Sequence, residues 1–302
     1  MTRQFGIAAA ALLIAARPLA SWQAPAPILE NIVWHLVWND EFDHDGRPDP
    51  ANWTYESGFV RNQEAQWYQA DNAAVAGGML TITARRERKA NPNYLAGSPD
   101  WKRNREFAEY TSASLTTRRL HEWTYGRFEM RGRIDTRAGL WPAFWTVGST
   151  GPWPRNGEID IMEFYRGLLL ANVAWGSTQP NRAIWADTKK PIASFGDPDW
   201  SSKFHVWRMD WDERWIRLYV DDALLNEVDL SKTINEDGSG VNPFHAPQQI
   251  ILNLAIGGTA GGDPSRTDFP AKFDVDYVRV YQKPPKALTR EDIFMALHGT
   301  PW

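Results

Sequence analysis

The sequence predicts an all-β protein, a sandwich or barrel built from many short strands. Three observations point there. Runs with period-two alternation recur at Leu80-Thr-Ile-Thr-Ala84, Gly126-Arg-Phe-Glu-Met-Arg-Gly-Arg-Ile134 and Trp215-Ile-Arg-Leu-Tyr-Val220, and that period sends successive side chains to opposite faces of a strand. Clusters of Gly, Pro, Asn and Asp separate the runs, as turns between strands require. Between residues 30 and 285 no long stretch carries the 3.6 periodicity of a helix.

The chain opens with Met1-Thr-Arg-Gln and a twelve-residue apolar run, Phe5 to Ala16. That run is too short to span a bilayer, which takes about 20 apolar residues. A charged start followed by a short apolar stretch reads as an export signal, so residues 1–24 are assigned to that signal and the start of a linker. The Pro/Ala-rich linker continues over 25–32. Strand signals then run from Val33-Trp-His-Leu-Val-Trp38 through Gln248 to Ile256 and Phe273 to Tyr281, which sets one domain at 33–285. The tail is 286–302, and within it Leu288 to Trp302 fit one short amphipathic helix. A secreted or periplasmic protein, free of the membrane once the signal is removed, is the expectation. The chain has no Cys, so neither a disulfide nor a lipid anchor enters.

The 302 residues carry a formal net charge of −4. That weak negative balance gives no footing for nucleic acid or an anionic membrane surface. Seventeen Trp, beside 9 Tyr and 13 Phe, exceed what a core of this size asks for. The surplus points to a ligand with flat apolar faces.

The most informative stretch is Glu158-Ile-Asp-Ile-Met-Glu163. In a regular strand Glu158 and Asp160 share a face and Glu163 falls on the other. A β-bulge at the Ile161–Met162 step inserts one residue and returns Glu163 to the acidic face. Three carboxylates in a row repel and raise at least one pKa. A solvated edge strand is the plain alternative. Against it stand Trp141-Pro-Ala-Phe-Trp145 and Gly151-Pro-Trp-Pro154 just upstream. Aromatic planes beside carboxylates are the chemistry of a sugar cleft, where rings stack and carboxyl groups work on the glycosidic bond.

At this point the chain resembles glycoside hydrolase family 16. Gly157-Glu-Ile-Asp-Ile-Met-Glu163 matches the bulged Glu-x-Asp-x-x-Glu signature of its laminarinase and agarase branches. In the same order the chain carries Asp40-Glu-Phe42, Asn62-Gln-Glu-Ala-Gln-Trp67, Phe204-His205, Tyr219-Val-Asp221, Leu252-Asn-Leu-Ala-Ile-Gly-Gly258 and Asp276-Tyr-Val-Arg-Val-Tyr281. The resemblance covers about residues 33–282. It implies a β-jelly-roll sandwich of two curved antiparallel sheets, with the substrate crossing the concave one.

By position, the resemblance assigns Glu158 as nucleophile, Glu163 as acid/base and Asp160 as the residue tuning both. Substrate contacts are expected from Trp141, Trp145, Trp153, Asn62, Glu64, Arg85, Trp175 and Asn253. Core packing is the other reading of each Trp, a surface salt bridge that of Arg85, and a structural partner that of Asn253. His205 is expected to pack in the core. Many family members hold one structural Ca²⁺ on the convex side, and the matching positions are the Glu41 side chain, the Gly78 carbonyl and Asp276. Turn capping or pairing with Arg is the other reading of those carboxylates. Catalysis itself needs no cofactor. The implied activity is that of a secreted endo-acting retaining glycosidase, expected as a monomer, on a β-1,3-glucan of laminarin type. Trp175 stands where many laminarinases have His, which leaves a β-galactan open: agar, porphyran, carrageenan or poly-N-acetyllactosamine. A transglycosylase and a non-catalytic polysaccharide-binding protein complete the alternatives.

Overall fold

The computed structural model describes residues 34–284. The expected export signal, linker and C-terminal tail lie outside the described residues. In chain order the strands are β1 (His35–Asp40), β2 (Thr54–Tyr55), β3 (Gln66–Tyr68), β4 (Ala73–Val75), β5 (Leu80–Ala84), β6 (Lys89–Ala90), β7 (Phe107–Ala108), β8 (Tyr110–Ser112), β9 (Ser114–Thr116) and β10 (Gly126–Ile134). They continue with β11 (Leu140–Gly148), β12 (Glu158–Tyr165), β13 (Leu168–Gly176), β14 (Ala183–Pro191), β15 (His205–Trp211), β16 (Trp215–Val220), β17 (Ala223–Asp229), β18 (Gln248–Ile256) and β19 (Ala271–Gln282). Four of the expected runs, at β5, β10, β16 and β18, have the predicted bounds.

Two large antiparallel sheets form the sandwich. One runs β17-β16-β15-β10-β19-β5-β4, with β1 also paired to β19; the other runs β14-β13-β12-β11-β18-β9-β2. Strand β19 organises the first sheet: one edge takes β10, while the other takes β5 over 271–275 and β1 over 278–282. Its partner β10 alternates as its sequence does. Phe128, Met130 and Ile134 point into the core, and Arg127, Glu129, Arg131 and Arg133 face out. The outward row is paired with Asp210, Asp276 and Asp274, so this face is a solvated ionic lattice.

The central strands of the other sheet are buried on both faces. Every residue of β18 is buried, as is all of β11 except Val147. Its inner face, including Phe144, Ile250, Leu252 and Leu254, packs against Phe128, Trp207, Met209 and Phe273 of the first sheet. Interdigitation of two sheets about 10 Å apart supplies the core. The outer face instead lines a cleft. His205 packs in the core as expected: its ring stacks on Trp200 at 3.8 Å and bonds Asp221 at 2.6 Å.

Candidate active site

The bulge forms where the alternation requires it. On the β11 side, Trp145 pairs with Asp160 and Phe144 with Met162; on the β13 side, Asn172 pairs with Asp160 and Leu170 with Glu163. Ile161 and Met162 thus stand together opposite Ala171, and both are fully buried. Glu158, Asp160 and Glu163 emerge on the cleft side. The cleft encloses about 650 Å³. Each outer acid has a tryptophan donor: Trp153 Nε1 donates to Glu158 Oε2 at 2.7 Å, and Trp141 Nε1 to Glu163 Oε1 at 2.5 Å.

Removal from water is the main force on these carboxyl groups. It lifts Glu163 to about 8, with the charges of Glu158 and Glu64 adding to the rise and the Trp141 bond opposing it. Glu158 rises to about 7 for the same first reason, held back by the Trp153 bond, the Arg61 charge and a bond from Asp160. Asp160 lies deepest, 4% exposed. Burial first, then the neighbouring charges of Glu158 and Glu163, push it well above the carboxylate range. It therefore keeps a proton to share with Glu158. Glu158 and Glu163 stay partly open to the cleft, so water there moderates both shifts until a ligand displaces it. The Arg61 charge pulls Glu158 down while the charges of Glu158 and Glu64 push Glu163 up, the directions a nucleophile and a general acid need.

Trp141, Trp145, Trp153, Asn62, Glu64 and Asn253 all line the cleft. Their roles divide. Trp141 and Trp145 are largely buried and act as donors in the floor, Trp145 Nε1 to Asn253 Oδ1 at 2.8 Å. Trp153 is 41% exposed and offers an open ring face. Asn253 also donates to the Tyr68 hydroxyl at 3.1 Å, so its structural reading holds alongside its place in the wall. Glu64, raised first by burial, accepts from Gln66 at 2.7 Å.

Two expected contacts fall elsewhere. Arg85 does not line the cleft: it continues beyond β5, bridged to Thr111, and its guanidinium reaches the Asp71 carbonyl at 3.3 Å. Trp175 sits on the core side of β13 and packs in the main hydrophobic cluster. Parity decides it. Asn172 and Ala174 pair with Asp160 and Glu158, so the odd positions of β13 turn inward. Trp175 therefore lies outside the cleft.

The residues expected to ligate Ca²⁺ are engaged with arginine. Arg279 grips both oxygens of Glu41 at 2.8 Å, and Arg131 donates to Asp276 at 2.6 Å. Gly78 occupies a left-handed turn position. Paired in this way, the two carboxylates favour the reading in which they balance arginine over the one in which they hold a cation.

The sequence reading missed several cleft residues. Arg61 lies over the Trp145 ring at 5.1 Å and pairs with Glu56. Trp185, Asp187 and Lys189 project from the edge strand β14, with Trp185 44% exposed. Asn172 is a lone amide on an apolar strand next to the catalytic one, the same signal that singled out Asn253. The loop 61–64 is itself held from behind. Asn62 and Gln63 both take positive φ, 53° and 52°, which costs a residue with a Cβ about 1–2 kcal/mol. Arg105 clamps it, donating to the carbonyls of Gln63 at 2.9 Å and Glu64 at 2.6 Å. From the other side Thr259 N bonds the Asn62 carbonyl at 2.9 Å. The adjacent Gly258 has no room for a side chain, since a Cβ there would lie 2.7 Å from that same oxygen.

The comparisons with known proteins agree with this geometry. The family model for glycosyl hydrolases family 16 matches residues 61–279. A β-glucanase of Rhodothermus marinus is 38% identical over 265 residues, covering 82% of this chain and 85% of its own. Among solved structures, the laminarinase from Rhodothermus marinus superposes with a TM-score of 0.68 at 37% identity, over 83% of this chain and 98% of its own. A structure from work on endo-acting O-glycanases, with which members of the human gut microbiota initiate mucin breakdown, superposes with a TM-score of 0.76 at 34% identity. It covers 92% of this chain and 98% of its own. With the jelly-roll sandwich, the bulged acidic strand and these matches together, the chain belongs to glycosyl hydrolase family 16 and is an endo-acting glycosidase.

Proposed function

We propose that this enzyme is exported and cleaves β-1,3-glucan of laminarin type with retention of configuration. The observation that carries the reaction is the bulge, which sets Glu158 and Glu163 on one face with separate donors and ordered acidities. Glu158, ionised, attacks the anomeric carbon as Glu163 delivers its proton to the departing glycosidic oxygen. A covalent glycosyl ester on Glu158 results. Glu163, now a carboxylate, takes a proton from water, whose oxygen attacks the same carbon and frees Glu158. A sugar hydroxyl in place of that water would make the enzyme a transglycosylase. Two carboxyl groups suffice for both steps. With all three acids present and ordered, a binding-only protein is the weaker reading.

The glucan-cleaving relatives support this substrate. A second reading, a β-galactan or the O-glycans named for the gut relative, is favoured by that structure's higher TM-score and coverage. A panel of laminarin, lichenan, agarose, porphyran, carrageenan, poly-N-acetyllactosamine and mucin O-glycans separates them. Mixed-length oligosaccharides from laminarin with a β-anomer as first product, seen by NMR, are the expected result. Cleavage confined to the galactose-containing substrates would replace the glucan assignment. Failure on all of them would refute the enzyme reading. Glu158→Gln and Glu163→Gln should each abolish turnover in a folded protein, and azide should partly restore Glu158→Gly. Either Gln variant keeping more than about a tenth of the rate, a loss under ~1.4 kcal/mol, would mean a misassigned role. Export predicts that the secreted protein lacks Met1. Mass spectrometry showing Met1 intact would refute it. Among the described residues no helix is long and apolar enough to cross a membrane.

A further inference from the structure

On β13 the cleft-facing positions Leu170, Asn172 and Ala174 stand beside Glu163, Asp160 and Glu158. Only the middle one is polar. Asn172 is 4% exposed, and its Nδ2 donates to Asp160 Oδ2 at 3.2 Å and more weakly to Glu163 Oε2 at 3.4 Å. Its Oδ1 is buried, lacks any hydrogen-bond partner and belongs to a side chain lining the cleft. In this orientation the amide nitrogen meets oxygens of Asp160 and Glu163, both of which accept from it. Its backbone is pinned as well. Asn226, on the opposite sheet, donates to the carbonyls of Ala171 at 2.8 Å and Ala186 at 3.0 Å, binding the β13–β14 seam from below.

A buried acceptor with no partner is rare in a folded protein. In a cleft it marks the place where a ligand donor belongs. The surroundings narrow that donor. The carboxyl groups of Glu158, Asp160, Glu163 and Glu64 share the cleft with the Arg61 guanidinium, Lys189 is paired with Asp187, and Tyr165 closes the same wall. An unpartnered acceptor calls for an O–H or N–H, which a sulfate or carboxylate does not carry.

We propose that Asn172 contacts the substrate: its Oδ1 accepts a hydrogen bond from a neutral sugar donor while its Nδ2 stays on Asp160 and Glu163. One amide thereby links seating of the sugar to the aim of the acid/base. This rests on the glycosidase reading and extends it, because the ring at that subsite then presents either a hydroxyl or an acetamido N–H.

The test uses Asn172→Ala in the full chain, with Asn172→Ser as a second variant should the first fail to melt cooperatively by circular dichroism. Carbon-13 NMR of carboxyl-labelled protein reports Glu163 directly and needs no turnover. Loss of the Nδ2 donor should move the Glu163 midpoint to higher pH. On the best panel substrate kcat/KM should fall roughly tenfold or more, as expected for a lost hydrogen bond to a bound ligand. A loss on glucan oligosaccharides identifies a hydroxyl donor, and one confined to N-acetyllactosamine oligosaccharides identifies the N–H. An unmoved Glu163 midpoint overturns the grip on the acid/base, and unchanged kcat/KM on both substrates overturns the sugar contact. Wild-type inactivity on the whole panel would refute the glycosidase reading instead. The sugar contact would then be decided by calorimetric titration of the same oligosaccharides into wild type and Asn172→Ala: equal affinity, or binding to neither, overturns it.

Discussion

Deleting Met162 would remove the bulge and leave Glu158-Ile-Asp-Ile-Glu. The neighbouring strands are already spaced for that shorter sequence. Trp145 and Ala143 on β11, and Asn172 and Leu170 on β13, are each two residues apart, yet they pair with Asp160 and Glu163, which are three apart. Without Met162 the acids are also two apart, so every cleft row keeps its partners. Trp141 can still reach the acid/base. The cost falls on the core, where Ile161 and Met162 are both fully buried opposite Ala171. Losing a buried Met side chain costs ~2–5 kcal/mol. At roughly 2–4 °C per kcal/mol for a domain of this size, the midpoint should drop by about 4–20 °C. Activity should survive at reduced level, since a displacement near 1 Å costs about a hundredfold. Met162→Asp keeps the bulge but buries an unpaired charge, and should be worse in stability and in rate. Thermal melts and initial rates of the three proteins decide the matter. A deletion variant as stable as wild type, or one folded yet wholly inactive, would refute this account of the strand.

Three further outcomes are expected from the donors and charges around the acids. Trp153→Phe removes the bond that holds Glu158 down, so the acid limb of kcat/KM should shift upward by a few tenths to about one pH unit; an unmoved limb would mean that Trp153 only stacks. Glu163 holds its proton more tightly folded, at about 8, than at its ordinary 4.5. Wild-type stability should therefore fall as pH rises through that window, and Glu163→Gln should melt above wild type at pH 9 but not below pH 4.5, as scanning calorimetry would show. Arg105→Met should raise KM and lower kcat together, because it frees the strained loop that carries Arg61 and Glu64 beside the acids; unchanged kcat and KM would place its role elsewhere.

The sandwich and the bulge were legible because both come from counting. Period two fixed the bounds of β5, β10 and β16, and three acids on one face required one extra residue between Asp160 and Glu163. What depended on pairing was not legible. Trp175 turns inward because β13 lies in a particular register against β12, which no residue of β13 announces. Arg85 succeeds a strand of the opposite sheet. The carboxylates expected at a Ca²⁺ site are bound by arginines far along the chain, Glu41 by one 238 residues away. Arg61 and Asn172 were passed over because a charged residue in a loop and one amide in a strand have many ordinary explanations. Only the cleft removes those explanations.

The ordering of the two catalytic carboxyls is not made within the catalytic strand alone. Glu158 and Glu163 share the same burial and the same shared neighbour, and each has a tryptophan donor. A difference comes from the loop before β3. Arg61 lowers Glu158, while Glu64, three residues on, raises Glu163. One short loop thus applies charges of opposite sign to the two ends of the acid row, and favours attack by Glu158 with proton delivery by Glu163. Such a dipole works only if the loop is rigid. Arg61 is fixed through Glu56, which takes the Ser114 hydroxyl at 2.6 Å, and Glu64 is fixed through Gln66. The left-handed turn between them is held by Arg105, itself flanked by Phe59 and Trp101 at 4.9 Å and 5.2 Å. The aromatic cluster around Phe59 and Trp67 stands apart from the main core. Through Phe59 and Trp101 it packs against Arg105, and so backs the loop whose charges bear on the acids.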